Sequence, residues 1–73
     1  MNYAKYRYKI FITSSDLICF IGYGETFDEL DRKIEEMAKI SKMPFEVKIY
    51  ESNDLSKRPE LTDWKLIETK EVQ

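Results

Sequence analysis

The chain has 73 residues, 36% of them charged, with a net charge of −2, no histidine and one cysteine. A domain of this length buries only about 60–65% of the surface its unfolded chain exposes, and commonly needs a disulfide, a structural metal or oligomerisation. One thiol excludes an internal disulfide, and without histidine no zinc ligand set remains.

No stretch approaches the roughly 18 apolar residues of a membrane span. The charged N-terminus is not followed by an apolar segment with a cleavage site. The expectation is therefore a single small cytoplasmic domain over residues 1–73, stabilised by self-association or a partner.

Tyr3–Thr13 alternates, with Ala4, Tyr6, Tyr8, Ile10 and Ile12 on one face and Tyr3, Lys5, Arg7, Lys9, Phe11 and Thr13 on the other. That pattern predicts a strand with one buried and one mostly basic face. Thr13–Asp16 is a polar cluster that predicts a turn, and Leu17–Tyr23 a second strand. This strand holds five consecutive apolar residues, Leu17–Ile21, a run that suits a strand covered on both faces. Closing a hairpin over the serines pairs Ile12 with Leu17, Ile10 with Cys19, Tyr8 with Ile21 and Tyr6 with Tyr23. On the other face Phe11 meets Ile18, Lys9 meets Phe20 and Arg7 meets Gly22. This register sends Leu17, Cys19 and Ile21 under a helix and turns Ile18 and Phe20 outward.

Thr26-Phe27-Asp28-Glu29 is a capping box, in which Thr26 accepts from an exposed amide and Glu29 reaches back to the Thr26 N–H. Phe27, Leu30, Ile34, Met37 and Ala38 follow as a helical apolar stripe. Asp28–Arg32, Glu29–Lys33 and Glu35–Lys39 are spaced for i,i+4 pairs worth a few tenths of a kcal/mol each. Pro44 stops the helix by about Met43. Phe45–Tyr50 alternates as a third strand with Phe45, Val47 and Ile49 inward. Glu51–Asp63 is a long polar connection containing Pro59, and Trp64–Val72 is the last strand. The order is ββαββ, an α+β fold with a four-stranded antiparallel or mixed sheet and one helix packed on one face. A β-grasp-like arrangement with parallel terminal strands and a simple pair of hairpins sharing the helix both fit.

Catalytic chemistry has little support. A chain without histidine lacks the commonest general base and the orienting member of nucleophile triads. Cys19 sits mid-strand among apolar neighbours, where burial makes a thiol inert. Asp28, Asp31 and Glu35 suit a solvated helix face better than an acid–base pair. Gly22-Tyr23-Gly24 lacks the third glycine and the βαβ setting of a dinucleotide site. No enzyme activity, cofactor or metal is expected.

Two binding readings remain. Lys5, Arg7 and Lys9 beside Tyr3, Phe11 and Phe20 match the cation-and-aromatic composition of some nucleic-acid platforms, although three clustered cations are few for useful affinity at physiological salt. A protein contact through Arg7, Lys9, Phe11, Ile18 and Phe20 draws on the aromatic and Arg anchors common at interfaces. Trp64 belongs to a second candidate surface in the long loop; alternatively Trp64, Leu55 or Leu61 folds over the outer face and completes a second small core.

Cys19-Phe20 followed by Gly24–Leu30 resembles the strand-to-helix segment of HicB-like antitoxins. The likeness is confined to residues 19–30. Two strands rather than three precede the helix, no DNA-binding region follows it in these residues, and membership of that family is not implied.

The reading is a non-enzymatic protein-binding regulator or inhibitor, acting as a homodimer through an exposed sheet face. The runner-up is a nucleic-acid-binding module using Tyr3, Lys5, Arg7 and Lys9. Lysine outnumbers arginine nine to three, which suits an AT-rich genome and an origin in a phage or mobile element.

Overall fold

The computed structural model describes residues 2–14, 19–41 and 43–72, with Cys19 given by its backbone alone. A one-turn 3-10 helix, Ala4–Tyr6, leads into β1 (Tyr8–Ser14), β2 (Cys19–Gly24), α1 (Phe27–Ile40), β3 (Phe45–Ser52) and β4 (Trp64–Val72). The sheet order is β2-β1-β3-β4 with every neighbouring pair antiparallel. This is the ββαββ, α+β fold expected, in its pair-of-hairpins form rather than the β-grasp form. β2 and β3 run the same way with β1 between them, so α1 crosses over one face of the central strands.

The core lies on that face. Ile10 and Ile12 of β1, Phe45, Val47 and Ile49 of β3 and Leu30 of α1 are buried, with Tyr8, Ile34, Met37 and Val72 packed against them. The predicted stripe on α1 is therefore narrower than its apolar content. Leu30 is buried, Ile34 and Met37 are half-buried, and Phe27 and Ala38 are exposed. Phe27 instead stacks on Tyr8 with ring centres 4.6 Å apart.

The first hairpin differs from the expected register. Cα partners are Tyr8 with Gly24, Lys9 with Tyr23, Ile10 with Gly22, Phe11 with Ile21, Ile12 with Phe20 and Thr13 with Cys19. An odd slip exchanges the faces of a whole strand, because side chains alternate with period two. Phe20, Gly22 and Gly24 therefore face α1, whereas Ile21 and Tyr23 face away beside Phe11 and Lys9. The physical reason lies in the glycines. A Cβ at Gly22 would sit 3.0 Å from the Phe20 ring and 3.2 Å from the Lys33 stem, and one at Gly24 would sit 3.0 Å from Leu30. The helix comes so close to this strand that it favours glycine beneath it. Thr13 and Ser14, expected in the turn, instead end β1; Ser15, Asp16, Leu17 and Ile18 lie outside the described residues.

The N-terminal strand is also shorter than its alternation suggests. Tyr3 to Arg7 form the 3-10 turn, closed by Tyr6 N–H donating to the Tyr3 carbonyl and Arg7 N–H to Ala4. At the start of α1, Thr26 Oγ1 accepts from the Glu29 N–H as expected, but the Glu29 carboxylate takes the Glu25 N–H (3.1 Å) instead of that of Thr26. None of the three expected i,i+4 ion pairs closes. Asp31 reaches across to Lys70 on β4 instead. Among the described residues no helix is long and apolar enough to cross a membrane, which leaves β-barrels unaddressed.

Candidate functional site

The face of the sheet opposite α1 collects most of the chain's aromatic residues. β1 contributes Lys9 and Phe11, β2 Ile21 and Tyr23, β3 Tyr50, and β4 Trp64 and Leu66, as the strand registers require. β4 carries a bulge, Tyr50 pairing with Leu66 while Ile49 pairs with Glu68. The extra residue, Ile67, lets Leu66 share the Tyr50 side although Lys70 and Val72 lie on the helix side.

Four rings run in file over this face. Tyr3 and Tyr6 lie 6.4 Å apart, Tyr6 meets Tyr23 edge-on at 5.3 Å, and Tyr23 meets Trp64 at 5.9 Å. Tyr23 and Trp64 belong to opposite edge strands, so their rings meet across the width of the sheet. The Lys9 ammonium lies 4.8 Å from the Tyr50 ring centre and 5.2 Å from that of Trp64. Both distances fall in the range of cation–π attraction, worth about 0.5–2 kcal/mol depending on desolvation. Lys5 lies similarly over Tyr6, at 5.1 Å.

Local hydrogen bonds hold these rings in place. The Trp64 Nε1–H donates to the Pro59 carbonyl (3.1 Å), which ties the indole to the Pro59–Leu61 turn. The Tyr3 N–H donates to the Leu55 carbonyl (2.8 Å), and the Ser52 N–H donates to the Arg7 carbonyl, so the N-terminal turn is pinned to the end of β3 and to the β3–β4 connection. That connection is shaped by Asp54, whose carboxylate accepts from the Ser56 hydroxyl and N–H. The hydroxyl above all, then the N–H, with a smaller contribution from the Lys57 charge, holds the Asp54 carboxyl below its ordinary 3.8.

A depressed folded-state pKa implies a contribution that is complete above the unfolded value and lost as the pH falls through the folded one. Acid titration of the Ser56 amide resonance is therefore expected to show loop release with a midpoint below 3.8. A midpoint at or above that value would contradict the contact.

Of the residues singled out from the sequence, Lys9, Phe11 and Trp64 come together on this face. Arg7 is exposed at its border, as the cap of the 3-10 turn. Phe20 does not join them: it lies on the helix side opposite Ile12, 36% exposed, for the register reason given above. Ile18 is outside the described residues. Tyr3 and Lys5 belong to the 3-10 turn and not to a strand, and the Tyr3 ring ends the aromatic file. The long loop is only partly a cover, since Leu55 contributes its carbonyl and Trp64 its indole while Leu61 stays exposed. Tyr6, Tyr23, Tyr50, Ile21 and Leu66 were not singled out. For Tyr50 the signal was present, since Phe45, Val47 and Ile49 inward puts Tyr50 outward.

The border of the face remains apolar and open. Ile21 is 52% and Leu66 48% exposed. Lys48 and Glu46 on the same side pair with each other at 3.7 Å, an exposed contact of little energetic weight. Among the described residues no group of three potential ligands could hold a metal ion. A shallow depression along α1 is lined by Glu29, Arg32, Lys33 and Glu36; its mixed charges at helical spacing fit a solvated surface. Comparison with protein-family models, with curated proteins and with solved structures finds no match to the chain.

Proposed function

We propose that this protein is a non-enzymatic, protein-binding regulator whose contact surface is the sheet face opposite α1, and that it works in the cytoplasm as a homodimer. The observation that carries the reading is Lys9 lying over Tyr50 and Trp64 with exposed Ile21 and Leu66 at the border. Rings and cations held this way make a preformed, amphipathic surface, the usual composition of interface anchors. The partner that fits is a protein segment with apolar side chains bordered by carboxylates. Exposed Lys5 and Arg7 lie at one end of the face, and residues 1–15 contain no acid.

A nucleic-acid contact fits less well. Lys9 is already engaged with two of the ring faces that bases would stack on, and Glu46 brings a carboxylate beside Lys48 on the same face.

Affinity capture with mass spectrometry, run in parallel with Ile21→Asp and Leu66→Asp variants, tests the proposal. The expected result is a partner retained by the wild type and by Ile40→Asp on the helix, and lost by both face variants. Capture indifferent to both face variants would overturn the surface. Oligonucleotide binding at low salt that weakens steeply as salt rises would replace the protein reading with the nucleic-acid one.

A further inference from the structure

We infer that two copies of the chain pair through the free edges of their β4 strands, in the antiparallel register that places Thr69 on the two-fold axis. The inference rests on the dimeric reading above and says how the dimer is built. β4 is an outer strand of the sheet, and residues 65–69 are exposed one after another, on both faces of the strand. An edge strand offers a row of backbone donors and acceptors to another strand. Natural edges are commonly shielded by charge, and β4 carries Lys65, Glu68, Lys70 and Glu71. These balance in sign. They therefore select a partner by its charge order instead of repelling every partner.

The charge order selects one register. Directly opposed residues of an antiparallel pair share a face, so the two-fold axis must pass through a residue. Beyond the bulge at Ile67 the regular stretch is Glu68–Val72. An axis at Glu68, Lys70 or Glu71 sets that residue against its own copy, and like charges directly opposed are unfavourable. An axis at Val72 leaves almost no strand to pair. With the axis at Thr69, Glu68 faces the other copy's Lys70 and Lys70 its Glu68, while the two threonines oppose each other, all favourable cross-strand pairs.

Within one copy Glu68 and Lys70 already lie 3.8 Å apart, on the side where Lys70 also approaches Asp31. The dimer would close these four charges into a ring of alternating sign. The result is an eight-stranded sheet with both helices on one side and both aromatic faces on the other.

The test is sedimentation of the full chain at increasing concentration for wild type, Glu68→Lys, Lys70→Glu and the double exchange Glu68→Lys/Lys70→Glu, with circular dichroism confirming that each is folded. The expected result is a wild-type dimer, dimer affinity about tenfold or more weaker in either single variant because like charges then oppose twice, and recovery in the double exchange. Thr69→Cys in a Cys19→Ala background is expected to oxidise to a disulfide-linked dimer, since residues opposed on the axis lie within disulfide reach. A wild type that stays monomeric at high micromolar concentration overturns the dimer and this register together. A dimer indifferent to all three charge variants, with no cross-link at position 69, overturns the register and leaves the dimer standing on another surface.

Discussion

Leu30→Ala is expected to leave most of the chain unfolded at room temperature. Leu30 is the one fully buried residue described on α1, closing against Ile10, Ile12, Val47 and Ile49. Truncating a buried leucine costs about 2–5 kcal/mol through lost transfer energy and the cavity left behind. A domain of this size rarely holds more than about 3–5 kcal/mol in total, so the two quantities are comparable. Urea titration followed by circular dichroism gives the measurement, with Ile40→Ala as the control. Ile40 is 73% exposed on the same helix and should change stability by less than about 0.5 kcal/mol. A Leu30→Ala protein that loses under 1 kcal/mol, on the order of a surface change, would mean that the helix is not docked as described.

The second large effect separates two glycines of one strand. Gly24→Ala is expected to cost about 1–3 kcal/mol, the usual range for forcing a methyl into a packed space, whereas Gly22→Ala should cost less. At Gly24 the new methyl would lie 3.0 Å from Leu30 Cδ2 and 3.2 Å from Glu29 Cβ. Leu30 is locked in the core, and Glu29 is held by its bond to the Glu25 N–H. At Gly22 the nearest atoms are the Phe20 ring edge and the Lys33 stem, both on partly exposed side chains that can shift, with the buried Ile10 Cγ1 next at 3.3 Å. Alanine also recovers about 0.5–1 kcal/mol over glycine inside a strand. Thermal melts of the two variants decide the matter. Variants that both melt like the wild type would place these glycines away from the helix and restore the other face assignment for β2.

That contrast also shows where the sequence was legible. Element type and order follow from periodicity, and β4 has the span its composition suggests, because alternation and turn residues are local signals. The inward set of β3 was equally plain, since Phe45, Val47 and Ile49 alternate with Glu46 and Lys48. Register is a property of two segments, and in a strand apolar on both faces the pattern gives no parity to choose by. For residues 19–24 the deciding information was the absence of side chains at Gly22 and Gly24, which marks close approach of another element. Read as a loosened strand end, the glycines pointed nowhere; read as a helix-packing face, they set the hairpin. The aromatic file was obscured for a related reason. Tyr3 and Tyr6 look like strand residues by alternation, but the 3-10 turn folds both onto the face where Tyr23 and Trp64 meet. Nothing local encodes contacts between residues that distant in sequence.

Trp64 is the sole tryptophan of the chain, and its indole is half-exposed between Lys9 and Tyr23 on the proposed contact surface. The protein thus carries a built-in optical reporter at the place where occupancy matters. Covering the face removes water from the indole and shifts its emission to shorter wavelength. Pairing at β4 residues 68–70 leaves the indole environment largely as it is. One unlabelled fluorescence titration therefore separates engagement of the sheet face from association of the edges.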